Sequence, residues 1–394
     1  MFPLIADPSR LGKLSATMTA NTPDLRSLDP ARIIVRGVNW LGDAVMTSPA
    51  LMRLRERFSH AHITLFTDEK LAGVWEEHPA LNAVRTFSGQ DSVWSAARVI
   101  RSGKFDLALV LPNSPRSALE AWLAGVPRRV GYRRSWRNFF LTDPITPRPE
   151  EIAMRKLSLP EILNRNESSS SPDRPLPSPR AHHLFQYLHL VAALGGRDEA
   201  IAPLLTVSDP EICRIREKFG IGRDHPWFGL NPGAEYGPAK RWPAERFAQV
   251  VRQCQIRGKI GWILFGGRND AELADQVQKH LKSEEGPVVN LAGRTSLREL
   301  CAALKCCQVL LTNDTGPMHV AAALDVPVVV PFGSTSGDLT GPGLPGDSKH
   351  RLLKSKVACS PCFLRECPID FRCMNGISVE RVMQAISEVS RIPI

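Results

Sequence analysis

The sequence predicts an α/β protein with two doubly wound domains, and three observations carry that prediction. Apolar runs of strand length alternate with runs of helix length along most of the chain. The turns between them gather glycine, proline, asparagine and aspartate. The length of 394 residues exceeds what one core usually serves and suits two.

Residues 32–36 read as a first strand, 44–58 as a helix with Val45, Leu51 and Leu54 apolar, and 63–66 as a second strand. The first loop, Gly37-Val38-Asn39-Trp40-Leu41-Gly42-Asp43, lacks the third glycine and downstream acid of a dinucleotide fingerprint. It also lacks the Lys-Ser/Thr pair of a P-loop. What it offers is a carboxylate, Asp43, at the mouth of the first sheet. That group is either chemically active or the cap of the following helix.

A helix at 93–101 and a strand at 107–111 follow. Residues 128–140 then set five arginines among four aromatics. Three readings stand: nucleic-acid bases and phosphates, a phosphorylated acceptor or anionic membrane, or a solvated basic loop over apolar residues. Without a nucleic-acid fold signature the first ranks last. Residues 165–180, rich in Ser and Pro, predict an exposed insertion, and a helical pattern resumes at 181–194. The glycine pair Gly195-Gly196 and the polar runs after it place the boundary between an N-terminal domain, 31–200, and a C-terminal domain, 201–394. Residues 1–30 read as a flexible extension.

The second half restarts with a helix at 210–219 and a strand at 227–230. The loop from Asn231-Pro232-Gly233 to Lys240-Arg241-Trp242-Pro243 offers glycine N–H groups and fixed cations that suit a diphosphate. Helix 244–257, strand 261–265 and helices 271–281 and 297–306 lead to a buried strand at 309–311. The turn Thr312-Asn313-Asp314-Thr315-Gly316 ends that strand, and Pro317 opens a helix, 317–324, before the strand 326–331. Such a helix N-terminus opens at the carboxyl end of the sheet, where its N–H groups and positive dipole end suit a phosphate. The plainer alternative is a tight βα turn with no ligand.

Hydrophobic content of 43% and charged content of 23% are ordinary for a soluble globular chain. No apolar run approaches the roughly 20 residues of a membrane span, and no signal-peptide core is evident. A cytoplasmic location is expected. The net charge of +10 favours polyanionic partners without choosing among them. Nine cysteines, an odd number, argue for reduced thiols. Cys359, Cys362, Cys367 and Cys373 are spaced closely enough to hold zinc, although the gaps are irregular for paired knuckles.

Several segments recur in a characteristic order: Asn39 to Val45, Ser48-Pro49-Ala50-Leu51, Asn231-Pro232-Gly233, Lys240 to Pro243, Asp314 to His319, Phe332 to Ser336, and the cysteine stretch 359–374. In that order and spacing the chain resembles the bacterial ADP-heptose:lipopolysaccharide heptosyltransferases, most of all their type II branch. The resemblance implies the GT-B architecture, two Rossmann-like domains facing across a cleft. It implies an inverting transfer of L-glycero-D-manno-heptose from ADP-heptose to the first heptose of the lipid-linked inner core.

By position Asp43 matches the family's general base and Lys240 its phosphate-binding lysine. Asp314, Thr315, Gly316 and His319 match its donor motif, with the N–H groups of Thr315 and Gly316 on the diphosphate. His319 either bonds a donor phosphate or makes a contact internal to its helix. Arg241 is a weaker cation candidate. No cofactor and no metal are implied, and the chain has no Asp-x-Asp to bridge a divalent ion to a sugar nucleotide. The implied partners are the ADP-heptose donor and the lipid-linked acceptor, with no nucleic acid. Peripheral contact with the inner membrane is an expectation raised by the 128–140 cluster. Two departures stand out: a histidine of the family pattern near Phe371 is absent, and the N-terminal extension and the 165–180 insertion are additions. A different transferase or an epimerase of the same architecture is the alternative.

Overall fold

The computed structural model describes residues 24–167, 175–258, 260–281, 286–390 and 392. Most of the expected extension 1–30 and the middle of the 165–180 insertion lie outside the described residues. Among the described residues, twelve strands form two parallel six-stranded sheets. The first contains β1 (Arg32–Arg36), β2 (His62–Asp68), β3 (Ala83–Phe87), β4 (Leu107–Val110), β5 (Arg128–Tyr132) and β6 (Asp143–Ile145). Its order is β3-β2-β1-β4-β5-β6. The second contains β7 (Trp227–Asn231), β8 (Gly261–Leu264), β9 (Val288–Asn290), β10 (Leu310–Thr312), β11 (Val328–Phe332) and β12 (Arg351–Lys354), in the order β12-β11-β10-β7-β8-β9.

Both sheets reverse direction of winding at their middle, between β1 and β4 and between β7 and β10, which opens a crevice at the carboxyl ends of the strands. Helices cover both faces, so the central strands β4, β7 and β10 are buried along their whole length and read as continuous apolar runs. In register, Ile33 lies beside Ile63 and Leu107, and Leu310 beside Gly229 and Val328.

Two expectations are corrected. The helix expected over 44–58 is two helices, Leu41–Met46 and Ser48–Arg57, broken at Thr47. Pro49 sits in the first turn of the second helix, and its missing N–H stops the first ladder from running through. The Thr47 hydroxyl donates back to the Ala44 carbonyl at 2.6 Å and closes the first helix. Second, residues 128–132 are a strand and not loop. Val130 and Tyr132 are buried, and Arg128 forms a two-pronged bond to Asp143 of β6, at 2.8 and 3.0 Å.

After β6, residues 146–167 make an excursion over the second sheet's half, and residues 175–183 lead into the helix Leu184–Ala193. The Leu157 N–H donates to the Cys362 carbonyl at 3.0 Å, and Leu157 and Ile162 pack with Cys359. Further on, the His183 N–H donates to the Leu339 carbonyl at 2.9 Å. The halves also meet behind the cleft. Arg298 pairs with Glu211 at 2.6 Å and donates to the carbonyls of Thr206 at 2.7 Å and Glu76 at 3.2 Å. Among the described residues no helix is long and apolar enough to cross a membrane.

Candidate active site

The loops that leave β1 and β10 face each other. Trp40, and not Asp43, holds the N-cap position of the helix Leu41–Met46, so Asp43 lies in the first helical turn with no capping duty. Opposite, Thr315 is the N-cap of the helix Gly316–Ala323, with Pro317 in its first turn. Pro317 has no N–H and the Met318 N–H turns back to the Thr315 carbonyl at 3.1 Å, which leaves the N–H groups of Thr315 and Gly316 at this helix end. The two helices approach through glycines. A β-carbon on Gly42 would stand 2.7 Å from His319 Cδ2, and one on Gly316 would stand 2.7 Å from Leu41 Cδ2. Any other residue at either position would force them apart.

Between the loops lies a cavity of about 500 Å³. Asp43, Lys240, Asp314, Thr315, Gly316 and His319 all reach its wall, so the structure brings the six sequence-predicted residues together. Lys240 ends a short turn, Pro238–Lys240, and its Nζ lies 2.6 Å from Asp314 Oδ2. The same oxygen accepts a 2.5 Å hydrogen bond from the Thr335 hydroxyl. Asn313, fully buried, fixes the lysine loop: its side-chain carbonyl accepts the Trp242 N–H at 2.9 Å, and its amide donates to the Pro232 carbonyl at 2.7 Å.

The electrostatics separate the titrating groups. Burial pushes the Asp43 carboxyl up to about 6; the charge of Lys240 opposes that shift and the charge of Asp314 adds to it. A carboxylate of that basicity is ionised at neutral pH and still able to take a proton. His319 is 5% exposed, and burial pulls its imidazole down to about 4, so the ring is neutral. Arg241 turns away to Asp270, 3.9 Å distant, and is not part of the cavity wall.

Residues 164–371 match glycosyltransferase family 9 (heptosyltransferase). The chain belongs to that family. Lipopolysaccharide heptosyltransferase 2 of Salmonella typhimurium is 30% identical over 319 residues, covering 79% of this chain and 85% of the relative. Lipooligosaccharide heptosyltransferase 2 of Campylobacter jejuni is 26% identical, covering 91% and 99%. The solved structure of the Escherichia coli ADP-heptose lipopolysaccharide heptosyltransferase II superposes with a TM-score of 0.73 at 27% identity, covering 91% of this chain and 98% of that one. The architecture is therefore GT-B, and the protein is a glycosyltransferase.

Sequence reasoning left several wall residues of this family 9 enzyme without a role. Thr335 lies in the quoted Phe332–Ser336 segment, and its contact with Asp314 emerges only when β11 is set beside β10. Tyr236 carries the Lys240 ammonium 4.9 Å from its ring centroid and donates its hydroxyl to the Phe363 carbonyl at 2.8 Å. Phe363 and Arg365 come from the cysteine stretch, while Met154 and Lys156 come from the excursion and His183 from the lead into the helix Leu184–Ala193. No local pattern announces any of them.

The four cysteines line a second, small and largely apolar cavity with Ser334. All are free thiols, and burial pushes Cys373 up to about 12. Among the described residues no group of three or more His, Cys, Asp or Glu is arranged to hold a metal ion.

Proposed function

We propose that the enzyme is a heptosyltransferase of type II, moving L-glycero-D-manno-heptose from ADP-heptose to the first heptose of the lipopolysaccharide inner core. One observation carries the mechanism: a basic carboxylate, Asp43, faces the Lys240–Asp314 pair and a helix N-terminus across one cavity. The acceptor hydroxyl attacks the anomeric carbon while the bond from that carbon to the diphosphate oxygen breaks on the opposite side, inverting the centre. Asp43 takes the hydroxyl proton as the new bond forms. Lys240 and the N–H groups at Thr315 and Gly316 receive the charge that develops on the leaving ADP. His319, neutral at its buried position, bonds the donor without competing for that charge.

In this reading residues 31–200 form the acceptor-side domain and 201–394 the donor-side domain. The protein works in the cytoplasm, peripheral to the inner-membrane face where a lipid-linked acceptor sits.

The test is transfer from ADP-, UDP- and GDP-sugars, ADP-heptose among them, to a mono-heptosylated core acceptor, read by mass spectrometry beside Asp43→Asn. A heptose-sized gain with ADP-heptose alone, absent in the variant, is expected. A gain with another donor instead, from the folded protein, overturns the reading.

A further inference from the structure

The side of the first sheet covered by the helices Val93–Arg101 and Pro115–Leu123 carries a combination of charge and aromatic exposure that the reaction does not use. Residues 92–142 hold nine basic and two acidic side chains, which is most of the chain's net charge of +10. Three of the nine meet carboxylates, Arg116 at Glu120, Arg128 at Asp143 and Arg134 at Glu151, and three others are spent on uncharged acceptors. Arg129 donates to the Phe140 carbonyl at 2.7 Å, Arg137 to the Pro112 carbonyl at 2.7 Å, and Arg101 to the Ala124 carbonyl at 3.5 Å. Their positive charge is left without a counter-charge from these bonds. Arg133 is exposed. Of the two acids, Glu120 is fully buried between Arg36 and Arg116, and Asp106 accepts from the Arg32 N–H.

The same stretch supplies four of the five strongly exposed aromatic side chains among the described residues, Trp94, Trp122, Trp136 and Phe139, the fifth being Trp40. Trp136 is 89% and Phe139 82% exposed. They are not isolated. Phe139 and Phe140 lie ring to ring at 5.8 Å, and Phe140 lies 5.8 Å from Trp122 on the helix Pro115–Leu123. Trp136 has a positive φ of 63°, a conformation that a bulky side chain adopts only at a cost, and there the indole faces solvent. The crossing 133–142 that carries Trp136 and Phe139 starts at the carboxyl end of β5, the end of the first sheet that also carries Asp43.

We propose that this face, the helix Pro115–Leu123 with the 133–142 crossing, is a docking surface for an anionic lipid bilayer. Indole and phenyl rings on a cationic surface match the interfacial layer of a bilayer, with apolar bodies among the acyl boundaries and cations at the headgroups. The anionic leaflet answers the exposed positive charge of Arg98, Arg101 and Arg133. The proposal deepens the reading of a lipid-linked acceptor and rests on it: docking would hold the rim of the cleft against the surface from which that acceptor projects.

Flotation of the whole protein with vesicles tests it, using phosphatidylcholine alone or mixed with phosphatidylglycerol. The variant is Trp136→Ser/Phe139→Ser, whose side chains are too exposed to hold the fold. Expected is flotation with the anionic vesicles, weakening with salt, and at least a fivefold smaller bound fraction for the variant at unchanged thermal melting. Transfer to an acceptor embedded in vesicles should fall by a similar factor, with transfer to a deacylated, water-soluble acceptor retained. A variant that floats as the parent does overturns the proposal, as does a parent that binds single-stranded oligonucleotide but no vesicle. A parent that floats, by way of these two residues, but transfers to neither acceptor supports the docking face and sinks the assigned reaction instead.

Discussion

Lys240 and Asp314 share a contact of 2.6 Å between Nζ and Oδ2, and the Thr335 hydroxyl fixes the same oxygen. The lysine is thereby stored in position before any donor arrives. A diphosphate that enters competes with one carboxylate for one ammonium, and binding energy is not lost in ordering a long side chain.

Lys240→Met should weaken ADP binding by at least tenfold, about 1.4 kcal/mol, read by titration calorimetry. It should also lower stability by on the order of 2–4 kcal/mol, because Asp314 is left buried without its partner. The double variant Lys240→Met/Asp314→Asn should recover part of that stability and none of the ADP affinity. Equal stability in the single and double variants would show that the pair is not coupled.

Asp43→Asn should reduce kcat by roughly 10²–10⁴, the usual scale for losing a general base. In the parent, activity should rise with pH through a limb near 6, where the Asp43 carboxyl ionises. That limb should vanish in the variant. A limb that persists would assign the base elsewhere.

The same carboxyl carries a stability cost. Its pKa in the fold, about 6, lies above its ordinary value of 3.8 because burial disfavours the charge. The folded state therefore holds its proton more tightly, and the contribution of Asp43 to stability falls as pH rises between those two values and stays low above them. Asp43→Asn should accordingly raise stability at pH 7.5 by on the order of 1–3 kcal/mol, with little change near pH 4. Thermal melts at the two pH values decide it.

Three histidines work in the opposite direction. Burial lowers His78 and His319 to about 4 and His182 to about 3. Each is neutral in the fold and would gain a proton more readily when unfolded. Their stability contribution is whole above pH 6.5 and drains away as pH falls toward 4. A fall in melting temperature across that window is expected, and His78→Gln should make it shallower.

Gly42→Ala should push the new methyl into the His319 ring. The expected cost is about 1–3 kcal/mol from overpacking, with kcat down by more than tenfold because the base and the donor loop are forced apart. Gly42→Ala/His319→Ala should regain stability by removing the obstructing ring. Failure of the second change to restore melting would place the strain elsewhere.

The βα alternation was legible because parallel sheets with both faces covered read as apolar runs, as Leu107–Val110 and Val328–Phe332 do. The edge strands β3, β6, β9 and β12 were not read. Arg351–Lys354, for example, has charged ends and only partial burial, so it lacks the apolar signal. The break at Thr47 was missed because the apolar positions on either side keep a helical period across it. Asp43, Lys240, Asp314, Thr315 and Gly316 stood out because they sit in or beside loops of distinctive composition, whereas His319, inside its helix, was singled out by the family resemblance. Thr335, Tyr236 and His183 did not stand out, since each acquires its place from packing between segments far apart in the chain. The arginines of 128–140 looked like one exposed cluster, yet Arg128 meets Asp143, Arg134 meets Glu151 and Arg137 is buried. Composition counts charges and says nothing of where they are satisfied.

The glycine contacts of Gly42 with His319 and of Gly316 with Leu41 act as a fulcrum. Pulling the two helix ends apart would wet a buried neutral imidazole, so any relative movement of the halves that keeps this contact is a roll about that point. In such a roll the entrance to the cleft widens and narrows while the distance from Asp43 to the donor turn scarcely changes. Substrate traffic and catalytic alignment are then governed by different coordinates, and a variant can slow one without disturbing the other.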